Sequence, residues 1–347
     1  MTAKRLQSGG AHGEAPVQKR PRWCCAEEAG PTPGAGADAR KAVRDLQWAC
    51  RQRPLDWWTA AAAAGVLGAG AAALTAKDAA VALQALAKVD DCDEARTAEA
   101  LVRERLLQPA SCDELDACGV AIALWALARR GLEGRGSALA RALQRRFAAV
   151  ASQCNSQDVA NVLWSFAKLR WSPASRCWSA LVLRTAAVAA LMKPQELSIA
   201  LWAVASLGEP LDASAGEALQ GAALQGVTYF MAQSVANALW ALATLAGRGL
   251  LEPRAELVRA LAEQATANAR FFTSQGLANA LWACAQLGVP AARVAALAEA
   301  LRAGELGGTD VGEIAWALAR LSFPGYAWAQ LQERAVDLAE SGGLDWQ

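Results

Sequence analysis

Histidine is almost missing from this 347-residue sequence, since its single copy, His12, lies in an N-terminal stretch rich in glycine and proline. The nine cysteines include no Cys-x-x-Cys pair, and no Gly-x-x-x-x-Gly-Lys-Ser/Thr phosphate loop occurs. These absences exclude His-dependent triads, histidine metal sites and P-loop chemistry from the folded body. A carboxylate pair assembled by folding stays open, but no spacing suggests one. We therefore expect no enzyme, no cofactor, no metal and no small-molecule substrate.

Long apolar runs are also missing. The best candidate for a membrane span, residues 60–76, is almost all alanine and glycine, so we predict a helix rich in small residues and no membrane partner. Alternating β-branched runs, which are typical of strands, are absent. Nearly all of the scattered cysteines sit in apolar helical patterns, which indicates buried, reduced thiols rather than a disulfide framework.

The chain does contain a repeated motif. Its clearest copy is Gln275-Gly-Leu-Ala-Asn-Ala-Leu-Trp-Ala-Cys-Ala-Gln-Leu-Gly288, and related copies surround Trp164, Trp202 and Trp240. The anchor position, normally Trp, falls at residues 84 (Gln), 125, 164, 202, 240, 282 and 316, in steps of 41, 39, 38, 38, 42 and 34 residues. Trp48 is a candidate anchor for a decayed first copy. A period of roughly 20 to 50 residues is typical of solenoids.

Each copy predicts two helices. A capping residue or Pro194 opens the first, and prolines such as Pro173 and Pro290 open the second. The fold class is therefore all-α, an α-solenoid of stacked helix pairs with a period near 38 residues. We place the repeat domain at residues 40–347, with about seven to eight repeats, the strongest at 156–289.

Residues 1–39 carry several prolines and glycines and little hydrophobic periodicity, so we predict a disordered tail. Its basic start suits an organelle transit segment, although serine is scarce. The cluster Lys19-Arg-Pro-Arg22 fits a nuclear signal equally well, and both interpretations stay open.

A helical wheel separates two faces of the first helix. Leu277, Leu281 and Cys284 form one apolar ridge, whereas Gln275, Asn279, Trp282 and Gln286 share the opposite side. We favour a packing role for the Trp column, with its N–H on Asn or a carbonyl, over stacking on bases. The recurring Gln and Asn predict hydrogen-bond ladders between repeats.

The position four residues after each anchor is polar in all seven copies. Its occupants are Lys88, Arg129, Lys168, Ser206, Thr244, Gln286 and Arg320. One variable polar group per repeat is the pattern of a modular single-stranded RNA reader. Simple solvent exposure explains the pattern equally well.

Charge is unevenly distributed along the chain. Residues 129–193 carry eleven Lys or Arg against two acids, a net +9, whereas residues 194–347 carry eight against fifteen, a net −7. The basic segment indicates a local polyanion site, or a solvated helical face. Phosphate contacts are predicted for Arg141, Arg145, Arg146, Arg170 and Arg176, in addition to Arg129, Arg130 and Lys168.

The motif Gln-x-x-Ala-Asn-x-Leu-Trp-Ala-x-Ala-x-Leu-Gly resembles the octotricopeptide repeats of organellar RNA-binding proteins. It is also similar to the leucine-rich helical repeats of the FAST kinase-like family of mitochondrial RNA regulators. Two features depart from these families: the proline run after the first helix is reduced to single prolines, and no RAP domain follows. The resemblance implies an α-solenoid that controls the processing, stability or translation of an organellar transcript.

Two functions follow as expectations. The first is sequence-selective binding of single-stranded RNA in the mitochondrial matrix, or alternatively the chloroplast, with a nuclease or a ribosome-associated protein as a further partner. The second is a protein-binding α-solenoid scaffold without a nucleic-acid ligand, which the near-neutral net charge of +1 favours.

Overall fold

The computed structural model describes residues 35–52, 56–89, 92–108, 110–131, 137–301, 306–323 and 325–341. In these ranges the chain forms α-helices and short 3-10 turns and contains no strand, which confirms the predicted fold class. The predicted tail lies mostly outside the described residues. Its last part does not, because the first helix already begins at Ala35, ahead of the predicted domain boundary.

Sixteen α-helices are described, and they alternate between two layers. The A-helices are α1 (Ala35–Ala49), α3 (Ala76–Leu86), α5 (Ala117–Arg130), α7 (Ser156–Leu169), α9 (Pro194–Leu207), α11 (Ala232–Gly247), α13 (Ser274–Gln286) and α15 (Gly308–Arg320). The B-helices are α2 (Trp57–Gly70), α4 (Asp93–Leu107), α6 (Ala138–Val150), α8 (Ser175–Val188), α10 (Ala213–Gly226), α12 (Ala255–Ala267), α14 (Ala295–Glu299) and α16 (Tyr326–Glu340). Every A-helix packs on its own B-helix, and each A-helix from α1 to α13 also packs on the next A-helix.

Local sequence fixes the helix ends. Helix α7 begins with a capping box, in which the Asn155 side chain accepts from the Asp158 N–H and the Asp158 carboxylate accepts from the Asn155 N–H. Gly131 and Gly208 end α5 and α9 in the left-handed conformation that favours glycine. From α2 to α13, each B-helix is followed by a 3-10 turn and two extended residues, which lead into the next A-helix. This repeated connection places all A-helices in the same orientation.

The core lies between the two layers. Leu277, Leu281 and Cys284 of α13 are fully buried, as the helical wheel predicts. From α3 onward, successive A-helices contact each other more extensively than successive B-helices do, and many of the buried A-helix residues are alanines.

One repeat differs from its prediction. The sequence predicts a B-helix over residues 291–303, but the chain forms a 3-10 turn, Ala291–Arg293, followed by the short helix α14. Val294, with φ −124° and ψ 13°, leaves the helical conformation between them. The two segments therefore do not join into one long helix.

Candidate nucleic-acid interface

The A-helices expose one narrow stripe of side chains. In α13, every described residue is buried except Gln275, Asn279, Trp282 and Gln286, and these four are spaced at i, i+4, i+7 and i+11. We call the equivalent positions on all A-helices the A-stripe: the anchor, the residues seven and three before it, and the residue four after it. Because a helix turns every 3.6 residues, these four positions share one face. The predicted polar face is confirmed.

The anchor tryptophans are neither fully buried nor fully exposed. Trp125, Trp202, Trp240 and Trp282 are half-buried and pack on the core, whereas Trp316 at the C-terminal end is 41% exposed. The predicted packing role is thus confirmed for one part of each ring. The hydrogen bond predicted for the indole N–H is wrong, because within the described chain none of these indoles donates to a protein acceptor. Each half-buried anchor therefore keeps an unused donor near the stripe.

Among the residues that the structure describes, the recurring Gln and Asn do not form the predicted ladder between repeats. In α11, Gln233 Nε2 donates to Asn237 Oδ1 over 3.1 Å, which is a bond within one helix and not between repeats. The amide groups therefore face the solvent side of the stripe rather than joining neighbouring helices.

Trp125 is the centre of a cationic and aromatic cluster. Lys88 Nζ lies 5.8 Å from the centre of its ring, and Arg129 Cζ lies 5.6 Å from it. The ring of Trp164 follows at 6.4 Å between centroids, tilted by 30°. Four side chains, from the turn after α3 and from α5 and α7, thus bring two indole rings and two positive charges together.

The variable column is not uniformly available. Lys88, Arg129, Lys168, Gln286 and Arg320 are exposed, whereas Ser206 and Thr244 are half-buried. The Thr244 hydroxyl is buried and has no hydrogen-bond partner. Thr244 is therefore the member least accessible to a ligand.

Two arginines of this column also hold the stack together. Arg129 Nε donates to the Ala87 carbonyl over 3.0 Å, and Arg320 Nε donates to the Ala285 carbonyl over 3.1 Å. Each bond satisfies a carbonyl at the C-terminal end of the preceding A-helix. Arg320 also lies over its own anchor, with Cζ 5.5 Å from the Trp316 ring centre. These guanidinium groups therefore have a structural role in addition to any contact with a ligand.

The predicted arginines of the basic segment do not form one patch with the A-stripe. Arg141, Arg145 and Arg176 line a cleft of about 300 Å³ between α6 and α8, together with Gln144 and Cys177. This cleft belongs to the B layer, on the side of the molecule away from the A-stripe. The sequence analysis grouped these arginines with Arg129 and Lys168 because all of them are close along the chain.

Three other predicted arginines take part in the fold itself: Arg146, Arg170 and Arg130. Arg146 Nε donates to the Leu115 carbonyl over 2.6 Å. Arg170 takes the left-handed C-cap position of α7, with φ 52°, and stays exposed. Arg130 pairs with the buried carboxylate of Glu99 over 3.0 Å, and only 17% and 5% of the two side chains are exposed. The pair therefore offers little charge to a ligand.

Arg146 belongs to a repeated contact that sequence analysis missed. A side chain near the C-terminal half of each of five B-helices donates to the carbonyl of the extended residue that precedes the paired A-helix. The bonds are Arg105 to Leu74 (2.8 Å), Arg146 to Leu115 (2.6 Å), Arg184 to Cys154 (2.6 Å), Gln264 to Phe230 (3.3 Å) and Arg334 to Leu306 (2.9 Å). The regular recurrence of these residues along the chain is the signal that could have found the contact.

The buried cysteines are not candidates for nucleophiles. Burial raises the pKa of the Cys154, Cys177 and Cys284 thiols to about 12, and that of Cys112 to about 11. A thiol needs to be a thiolate to attack or to bind a metal.

Among the described residues no cluster of His, Cys, Asp and Glu has the arrangement of a metal site. None of the described helices combines the length and hydropathy needed to cross a bilayer.

A comparison with known protein families matches the central part of this solenoid. A family model described as the Tbc2 translation factor, N-terminal domain, matches residues 130–323, which is 194 of the 347 residues. The matched segment contains the strongest motif copies, α7 to α13, together with the intervening B-helices. No curated protein matches the chain. The more specific resemblance to octotricopeptide and FAST-type repeats stays a prediction. Since the model covers more than half of the sequence, the chain belongs to the family of the Tbc2 translation factor N-terminal domain.

Proposed function

We propose that this protein binds single-stranded RNA along the A-stripe and acts on the translation of the bound transcript. The observation that carries the proposal is the cluster of Lys88, Trp125, Arg129 and Trp164, in which two positive charges lie close to one of two neighbouring indole rings. Base stacking on such rings contributes about 1–3 kcal/mol per base, and the cations attract the phosphates. Membership of a translation-factor family supports the same assignment.

The remainder of the stripe supplies the groups for base recognition. Ser206 and Gln286 occupy the variable position in α9 and α13, where the stripe has no Lys or Arg. Asn279 and Gln275 add amides on the same face, and the unused indole N–H groups add donors. Side-chain hydrogen bonds to base edges, with one base for each repeat, are how helical repeat proteins select RNA.

We place this activity in an organelle, in keeping with the resemblance to octotricopeptide and FAST-type repeats. The mitochondrial matrix is our first assignment and the chloroplast the second. The protein acts without catalysis of its own in this proposal, so its effect on processing, stability or translation requires a nuclease or a ribosome-associated protein. The competing function is a protein-binding scaffold, which the net charge of +1 favours.

The test is selection of RNA by the whole chain. We would incubate the protein with random single-stranded RNA at two salt concentrations and sequence what is retained. An A-stripe variant would carry Lys88→Ala, Lys168→Ala and Gln286→Ala, which are exposed positions with no carbonyl clamp. The matched control is Arg141→Ala with Arg176→Ala in the B-layer cleft.

The proposal predicts enrichment of a common motif, weaker binding at high salt, and loss of enrichment with the A-stripe variant only. Phosphate contacts make the affinity fall as salt rises. Loss of binding with the B-layer control instead would assign the RNA to the cleft. No retention at low salt would favour the protein-binding scaffold.

A further inference from the structure

The turns between B- and A-helices carry a row of exposed apolar side chains in three consecutive repeats. Leu191, Tyr229 and Phe271 are each the last residue of a 3-10 turn, and Met231 follows Tyr229 by two positions. Their exposed fractions are 74%, 77%, 62% and 79%. We call these four residues the turn edge. Contiguous exposed apolar surface is typical of a protein-binding site.

The fold itself does not require apolar residues there. The equivalent last residue of the turn is Glu114 before α5 and Gln153 before α7, and both are exposed. The next residue, by contrast, is buried and apolar in every one of these turns, as with Leu115 and Phe230. The earlier repeats are therefore an internal control, which shows that a polar residue satisfies the turn.

Met231 strengthens the argument because it gives up a helix cap. At the same N-cap position, Thr75, Asp116, Asn155 and Thr273 each accept a hydrogen bond from an N–H of the first turn. Met231 makes no side-chain cap bond. A residue that forgoes a stabilising cap and stays exposed is better explained by binding than by folding.

The charge around the turn edge points to the chemistry of its partner. Residues 189–195, 227–233 and 269–275 contain no acidic residue and include Lys193 and Arg270, both exposed, whereas residues 194–347 carry a net −7. The nearby Glu196 carboxylate is buried and accepts from the Lys193 N–H. Arg270 Cζ lies 4.7 Å from the centre of the Phe271 ring. The edge thus combines an apolar row with two flanking positive charges.

The spacing of the row fits a helix. Packed neighbouring helices lie about 8–10 Å apart, so Leu191, Tyr229 and Phe271 recur at about that interval. Two turns of an α-helix, one heptad, advance by about 10.5 Å. We propose that the turn edge binds an amphipathic helix of a partner protein, with one apolar residue per heptad toward the row and acidic residues beside it.

A helix explains the row better than an RNA strand does. Leu191 and Met231 are aliphatic and offer no ring on which a base could stack, whereas both pack readily on leucines of a helix. The row also lies at the N-terminal ends of the A-helices, outside the four A-stripe positions. The inference therefore does not depend on RNA binding.

The experiment uses the full chain and a labelled 21-residue peptide with leucine at the first and fourth position of each heptad and glutamates beside them. Binding would be followed by fluorescence anisotropy. The edge variant carries Leu191→Gln, Tyr229→Gln and Phe271→Gln, which places at each turn a residue that Gln153 shows to be acceptable. The control is Leu183→Gln, which changes another exposed leucine, on α8.

We expect the edge variant to bind the peptide at least tenfold more weakly, while the control binds like the original chain. Met231→Thr should restore the helix cap and raise the melting temperature of the protein. It should also lower the affinity for the peptide. No peptide binding, or equal binding by all variants, would overturn the proposal. Loss of binding to a uridine 15-mer by the edge variant, with the peptide unbound, would assign the edge to RNA instead.

Discussion

Arg129 Nε donates a 3.0 Å hydrogen bond to the carbonyl of Ala87, which belongs to the preceding repeat. The same guanidinium group lies over Trp125. A residue of the candidate RNA-binding column thus also satisfies a helix end. Functional and structural effects of substitutions in this column need to be separated.

Lys88 and Arg129 provide that separation. Arg129→Ala leaves the Ala87 carbonyl without its partner and should lower the free energy of unfolding by about 1 kcal/mol. Lys88→Ala removes a charge on the same ring but no clamp, so stability should change by less than about 0.5 kcal/mol. Urea unfolding measures the first effect, and RNA titration measures the loss of affinity that both variants should share. Equal stability of the two variants would contradict the assignment of the clamp.

Arg145 and Arg146 are adjacent in α6 but have different surroundings. Arg146→Ala removes the 2.6 Å bond to the Leu115 carbonyl and should destabilise the protein by about 1–2 kcal/mol. Arg145→Ala, in the exposed cleft, should leave the melting temperature nearly unchanged. Thermal unfolding of both variants checks the prediction, which fails if Arg145→Ala is the more harmful substitution.

Arg145 and Arg146 also show which features of the structure can be predicted from the sequence. Periodicity within one helix predicts which side of α13 is exposed, because Gln275 and Trp282 depend only on the local helical turn. It does not predict that Arg146 bonds to a carbonyl 31 residues earlier. That contact depends on how α6 sits against the preceding turn, and neither composition nor spacing within α6 carries this information.

The division of the basic segment has a similar cause. Arg141 and Lys168 are close in sequence and share a net-positive region, so charge counting joins them into one patch. The alternation of layers places one on a B-helix and the other on an A-helix. Likewise, the turn edge escaped the sequence analysis because the exposure of Leu191 and Tyr229 follows from the turn and not from a helical pattern.

The buried thiols predict a decline of stability at alkaline pH. Burial raises the pKa of Cys154 and Cys177 from an ordinary value of 9.0 to about 12. The folded state then holds these protons while the unfolded chain releases them above pH 9, so the free energy of unfolding falls between about pH 9 and 12. Cys154→Ala together with Cys177→Ala should flatten this slope. Urea unfolding at pH 8 and pH 10 checks it, and an unchanged slope would contradict the prediction.

Substitutions of Trp240 can separate the contribution of the anchor ring to packing from its contribution to RNA binding. The ring is half-buried and packs on the core, and its N–H donates to no acceptor among the described residues. Trp240→Ala removes much of a large side chain and should cost about 3 kcal/mol. Trp240→Phe keeps most of the apolar contact and loses only the donor, so its cost should stay near 1 kcal/mol. If the indole donates to a base, Trp240→Phe weakens RNA binding several-fold while the protein remains folded, as circular dichroism and anisotropy titration would show. Unchanged RNA affinity in Trp240→Phe would confine the anchor to packing and stacking and leave base selection to the polar side chains beside it.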